Sequence, residues 1–143
     1  MAKTKTTAKT NMKTTVGELA DLLQAHFNVQ DVKGKDFAIV IANNIDVLTE
    51  VLQPLEEISR PSEEFMKFAN EMQKHQQTKN DDAIKQLQEA NAELIIERQH
   101  QMDKVKVELA KDAKEVELLT INNLIMPIDM TARQITGLSS VMA

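Results

Sequence analysis

The chain has 143 residues and a formal net charge of −5, with 42% hydrophobic and 27% charged residues, enough for one domain with a core. It has no cysteine, which excludes disulfides, thiolate metal ligands and a cysteine nucleophile. No apolar run approaches the roughly 20 residues of a membrane span, and three glycines, three prolines and four aromatics leave little of the punctuation a β-rich fold needs. The expected class is mostly α: a helical hairpin or coiled-coil-like bundle, with one short strand and a flexible basic arm.

Residues 1–15 hold four lysines (Lys3, Lys5, Lys9 and Lys13), six threonines and no acid. Without apolar periodicity such a stretch cannot offset its ordering entropy, so it reads as a flexible arm on a more acidic body. It is either a solubilising tail or an arm that orders against an acidic neighbour or nucleic acid. Four lysines without arginine or aromatics make a weak nucleic-acid signal.

Residues 16–143 read as one helical domain. Thr15-Val-Gly-Glu18 fits a capping box and opens a helix to about Asn28, with Leu19, Leu22, Leu23 and Phe27 on one face. Residues 31–35 form a turn. A second helix over about 36–58 carries Phe37, Ile41, Ile45, Leu48, Leu52 and Leu55 inward, widened by Val40, Val47 and Val51. Pro54 should kink or divide it. Asn43 and Asn44 interrupt its stripe, either as polar seam residues or as residues facing water.

Ser62, followed by Glu63 and Glu64, marks the start of a helix over about 62–78 with Phe65, Phe68, Ala69 and Met72 inward. Residues 82–111 then read as one long charged helix of about 45 Å. Its apolar stripe is Ile84, Leu87, Leu94, Ile95, Met102, Val105 and Leu109, interrupted by Asn91 and Arg98. A stripe that narrow needs a partner helix. Asn80, Asp81 and Asp82 favour a hairpin over 62–111, although the absence of glycine or proline there leaves one continuous helix open.

Residues 115–121 read as a short strand containing Val116 and Leu118, with no sheet to join in this chain. It would pair with another chain or serve as an extended connector. Thr131-Ala-Arg-Gln134 is a second capping-box pattern, opening a terminal helix that Gly137 weakens, so that this helix needs a docking surface. The segment 115–143 is therefore expected to dock on a neighbour.

No catalytic, cofactor or metal site emerges. His26, His75 and His100 lie on different segments and read as surface residues. The paired acids Glu56/Glu57, Glu63/Glu64, Asp81/Asp82 and Glu115/Glu117 suit helix ends or water. No phosphate-binding glycine motif or nucleophile elbow occurs. The expected interaction residues are the stripe Ile84, Leu87, Asn91, Leu94, Ile95, Met102, Val105 and Leu109, together with Val116 and Leu118. Lys3, Lys5, Lys9 and Lys13 are candidates for an acidic surface or nucleic acid.

Leu52-x-x-Leu55-Glu56-Glu57-x-x-x-Pro61-Ser62-Glu63-Glu64-Phe65, residues 91–102, Glu115-Val-Glu-Leu118, Pro127 and Thr131-x-x-Gln134, taken in order, resemble small bacteriophage minor structural proteins. The resemblance covers about residues 45–140 and carries no catalytic motif; the arm and the helix at 16–28 lie outside it. It implies a virion or assembly role; with the stripe and hairpin, the expected protein is non-enzymatic and oligomerises or packs on another subunit. The setting would be a virion or the host cytoplasm, with no signal peptide and no membrane. The alternatives are a packaged, nucleic-acid-associated protein using the arm, and an assembly chaperone that never enters a particle.

Overall fold

The computed structural model describes residues 8–142. Within the stretch read as one helical domain, the backbone divides into two compact units. One takes the described residues up to Pro54 together with those from Glu108 onward, and the other is Leu55–Val107.

The first unit begins with a strand, β1 (Lys9–Met12), in the region expected to be a flexible arm. It pairs antiparallel with β2 (Val116–Leu119), in the register Lys9 to Leu119 and Met12 to Val116. The strand expected to lack a partner in this chain therefore has one. Threonine is a good strand former, and Thr10 and Met12 turn inward while Lys9, Asn11 and Lys13 face solvent. Further backbone bonds flank the ladder, from Thr120 N to Ala8 O at 2.9 Å and from Ala113 N to Thr14 O at 2.9 Å. Residues 1–7, the rest of the expected arm with Lys3 and Lys5, lie outside the described residues.

Helix α1 (Val16–Phe27) starts where Thr15 Oγ1 accepts from Glu18 N at 3.2 Å. It buries Leu19, Leu22 and His26, spaced by three and four along one face. Gly34, at φ 138°, turns the chain into α2 (Lys35–Val51), which buries Phe37, Val40, Ile41, Asn44 and Leu48. The long second helix expected over 36–58 is two helices. The backbone leaves helical geometry at Leu52, and α3 (Gln53–Ser59) follows. Pro54 has no N–H to offer the Glu50 carbonyl, which explains the break.

Helix α2 packs against both α1 and β2, so the sheet's inner face, Val116 and Leu118, closes onto a helical layer. Near the C-terminal side, α7 (Ala132–Gly137) carries the full Thr131/Gln134 capping box and ends in a 3-10 turn over Ser139–Val141. Gly137 weakens this helix, but it also permits the helix to dock. A Cβ there would lie 3.1 Å from the Ala25 Cβ of α1. Ile121 N then donates to Val141 O at 2.8 Å, tying the chain's last turn to the end of the sheet. Leu118, Ile121, Leu138 and Val141 are all fully buried or nearly so.

The second unit is a helical hairpin. Helix α4 (Glu63–Gln77) is capped by Ser62 Oγ, which accepts from Phe65 N at 3.1 Å. The chain reverses at residues 78–80, where Lys79 adopts φ 55° and Asn80 Oδ1 accepts from Ala83 N at 3.2 Å. Helix α5 (Asp81–Ala90) returns along α4. The long helix expected over 82–111 is not one helix. It breaks at Asn91 (φ −118°, ψ 28°), and α6 (Ala92–Ala110) continues beyond. Asn91 Nδ2 donates to the Leu87 carbonyl at 2.9 Å, the side-chain competition with the helical backbone that makes asparagine a poor interior residue.

Candidate interaction surface of the helical hairpin

The hairpin carries an amphipathic stripe and covers little of it. Among Leu55–Val107 only Phe68 and Val105 are buried. Of the residues expected to make protein contacts, Ile84, Leu87, Asn91, Leu94 and Ile95 are half-buried and Met102 is exposed. Met66 and Ile96, each about half accessible, and Val107, at 62%, add apolar surface that the expected stripe did not include. Leu109, the last stripe residue, is half-buried and belongs to the first unit.

Where α5 gives way to α6, the hairpin holds a groove of about 670 Å³. Phe68, Leu87 and Leu94 supply its apolar lining; Glu64, Glu71, Glu89, Glu93 and Glu97 stand around it with Lys67 as the one cation. The break at Asn91 lies in this wall, so the residue that interrupts the helix also shapes the groove.

Arg98, which interrupts the stripe, and Gln101 both reach the end of α3. The Arg98 guanidinium lies 5.5 Å from the centre of the Phe65 ring, and Phe65 stacks at a tilt on Phe68 with centroids 5.7 Å apart. Arg98 Nη1 also donates to Ser59 O at 2.9 Å and to Gln101 Oε1 at 2.7 Å. Gln101 Nε2 reaches Ile58 O at 2.8 Å and Arg60 O at 2.6 Å. Together they cap the open carbonyls at the end of α3, with a cation at the negative end of that helix.

The other expected contact residues fall differently. Val116 and Leu118 are buried in the chain's own core and are not available to a neighbour. In the same C-terminal segment Leu124 and Ile128 are strongly exposed, Ile128 at 97%. Lys9 pairs with Glu117 at 2.9 Å, with both side chains more than half exposed, and Lys13 is exposed.

His26, expected at the surface, is completely buried. So is Asn44, although Asn43 beside it faces water. Asn44 Oδ1 accepts from Leu119 N at 2.8 Å and its Nδ2 donates to Leu119 O at 2.9 Å, so the amide closes the edge of β2 as a neighbouring strand would. The same Nδ2 lies 3.1 Å from His26 Nε2, and His26 Nδ1 lies 2.8 Å from Leu22 O. Burial pushes the His26 imidazole below its usual 6.5, against a smaller upward pull from the Leu22 carbonyl. The signal for both residues was their phase: His26 is four residues after Leu22, and Asn44 is three after Ile41 and four before Leu48.

Among the described residues no group of three or more histidines and carboxylates could hold a metal ion, and no helix is long and apolar enough to cross a membrane. No protein-family model, curated protein or solved structure matches the chain.

Proposed function

We propose that this chain is a non-enzymatic structural or assembly protein that oligomerises or packs on another subunit through the hairpin Leu55–Val107, within a phage particle. The observation that carries this reading is the hairpin's uncovered apolar surface: Met66, Ile96, Met102 and Val107 are exposed on a unit that buries only two side chains. Fully burying an aliphatic side chain contributes about 1.5–3 kcal/mol, so several half-exposed ones gain substantially from a partner. Scattered single apolar residues would need no explanation, but here Ile96, Met102 and Val107 follow one another along α6, with Met66 on α4 of the same unit. Leu124 and Ile128 offer a second contact region in the C-terminal segment.

The alternative, nucleic-acid binding through the basic arm, has less support, because Lys9 belongs to a strand and already holds Glu117. The test is the oligomeric mass of the purified protein by light scattering. Ile96→Asp and Leu94→Asp should each reduce it to the single-chain mass while the circular dichroism spectrum keeps its helical shape. An unchanged mass in both variants overturns the proposal.

A further inference from the structure

The pattern of hydrogen bonds around Asn44 fixes the protonation state of His26. Leu22 O is an acceptor only, so the proton sits on His26 Nδ1, 2.8 Å away. Asn44 is oriented by Leu119: its oxygen takes the Leu119 N–H and its nitrogen serves the Leu119 carbonyl. That orientation directs an N–H of Asn44 at His26 Nε2, which must therefore be bare. Only the neutral, Nδ1-protonated ring satisfies every partner. A second proton on Nε2 would oppose two donors at 3.1 Å. Turning the Asn44 amide over relieves that clash but sets nitrogen against the Leu119 N–H and oxygen against the Leu119 carbonyl. Asn43 Nδ2, 3.3 Å from Asn44 Oδ1, also favours the present orientation.

We propose that His26 and Asn44 form an acid-sensitive latch: protonating the ring frees Leu119 from Asn44 and undocks β2, with β1 paired to it, from α2. Ring charge and strand docking exclude each other because one amide serves both. Burial and the Leu22 carbonyl are the influences that act on the ring. The charged groups on the elements around it are Glu18 and Asp21 on α1, Lys35, Asp36, Asp46 and Glu50 on α2, Glu117 on β2 and Arg133 on α7. All are exposed except Asp36, which is half-buried at the start of α2. None of them compensates a proton on Nε2. The histidine is thus placed to report a fall in pH below neutrality, the range in which imidazole is the natural sensor.

The test is nuclear magnetic resonance on the full chain, from about pH 7.5 to about pH 5, where imidazole titrates. Ring nitrogen shifts report which nitrogen of His26 is protonated. Exchange of the Leu119 amide, corrected for its intrinsic pH dependence, reports the latch, and the Leu19 amide reports global opening. Leu119 protection should fall about tenfold for each pH unit between the unfolded and folded values of His26, and stay below that of Leu19 throughout. His26→Gln, whose oxygen can accept from Asn44 without titrating, should hold its Leu119 protection across the range. The latch is overturned if wild-type Leu119 protection does not change, if it falls equally in His26→Gln, or if it equals that of Leu19 at every pH. Should His26→Gln not fold, the wild-type profile still decides: Leu119 protection that is flat with pH, or that equals that of Leu19 at every pH, overturns the latch.

Discussion

Arg98 Nη1 donates to the Ser59 carbonyl at 2.9 Å while its guanidinium covers the Phe65 ring. One side chain thereby joins the end of α3, the start of α4 and the middle of α6. Hydrogen bonds to a charged group contribute about 1.5–3 kcal/mol, more than an ordinary pair. Arg98→Ala should lower the hairpin's unfolding free energy, extrapolated from urea denaturation, by an amount in that range. Arg98→Lys should recover only part of it, since an ammonium lacks the planar fork and stacks poorly on a ring.

Asn44→Leu fills a similar volume but strands both backbone groups of Leu119 inside the first unit. Leaving a buried polar group without a partner costs about 1–3 kcal/mol, and here there are two. A clear loss of stability is expected in urea denaturation. A neutral result would mean that Leu119 finds other partners.

His26 sets a pH dependence whose sign follows from burial. Its folded pKa is lowered from 6.5, so the unfolded chain binds the proton more readily. The stabilisation is complete above about 6.5, declines as pH falls from there toward the folded value, and is constant below it. Thermal melts between pH 8 and 5.5 should show a falling midpoint in the wild type and a nearly flat one in His26→Gln, in a range above carboxylate titration.

Gly137 sits against Ala25 where α7 crosses α1, with room for hydrogen but scarcely for a methyl group. Gly137→Val should force the two helices apart at a cost of about 1–3 kcal/mol, the usual range for overpacking. The smaller Gly137→Ala should be relieved by Ala25→Gly. A double-mutant cycle monitored by urea denaturation checks for that coupling.

What could be read from the sequence was mostly local. Thr15, Ser62, Asn80 and Thr131 cap helices because a cap depends on residues three positions away, and Pro54 divides a helix for the same local reason. The β1–β2 pairing joins residues more than a hundred positions apart, and nothing in a Thr/Lys stretch names its partner. Asn44 and Arg98 were seen as interruptions of apolar stripes, but their roles depend on carbonyls and amides brought in by distant segments. Residue type favours the surface for His26, but its helical phase sets it beside Leu19 and Leu22. Of the hairpin's exposed apolar residues the stripe contains only Met102; Met66, Ile96 and Val107 lie outside it, and Asn91 divides the helix that carries it.

Closing one edge of β2 with a side-chain amide has a further consequence for how copies of this chain can meet. The sheet cannot grow past Leu119, since Asn44 occupies both backbone groups there. Its remaining edge is β1, where Lys9 and Lys13 flank Asn11, the kind of charged border that discourages edge-to-edge stacking. Fibril-like propagation through strands is therefore blocked on one side and opposed on the other. Association of copies through β-strand pairing is disfavoured at both edges of this sheet.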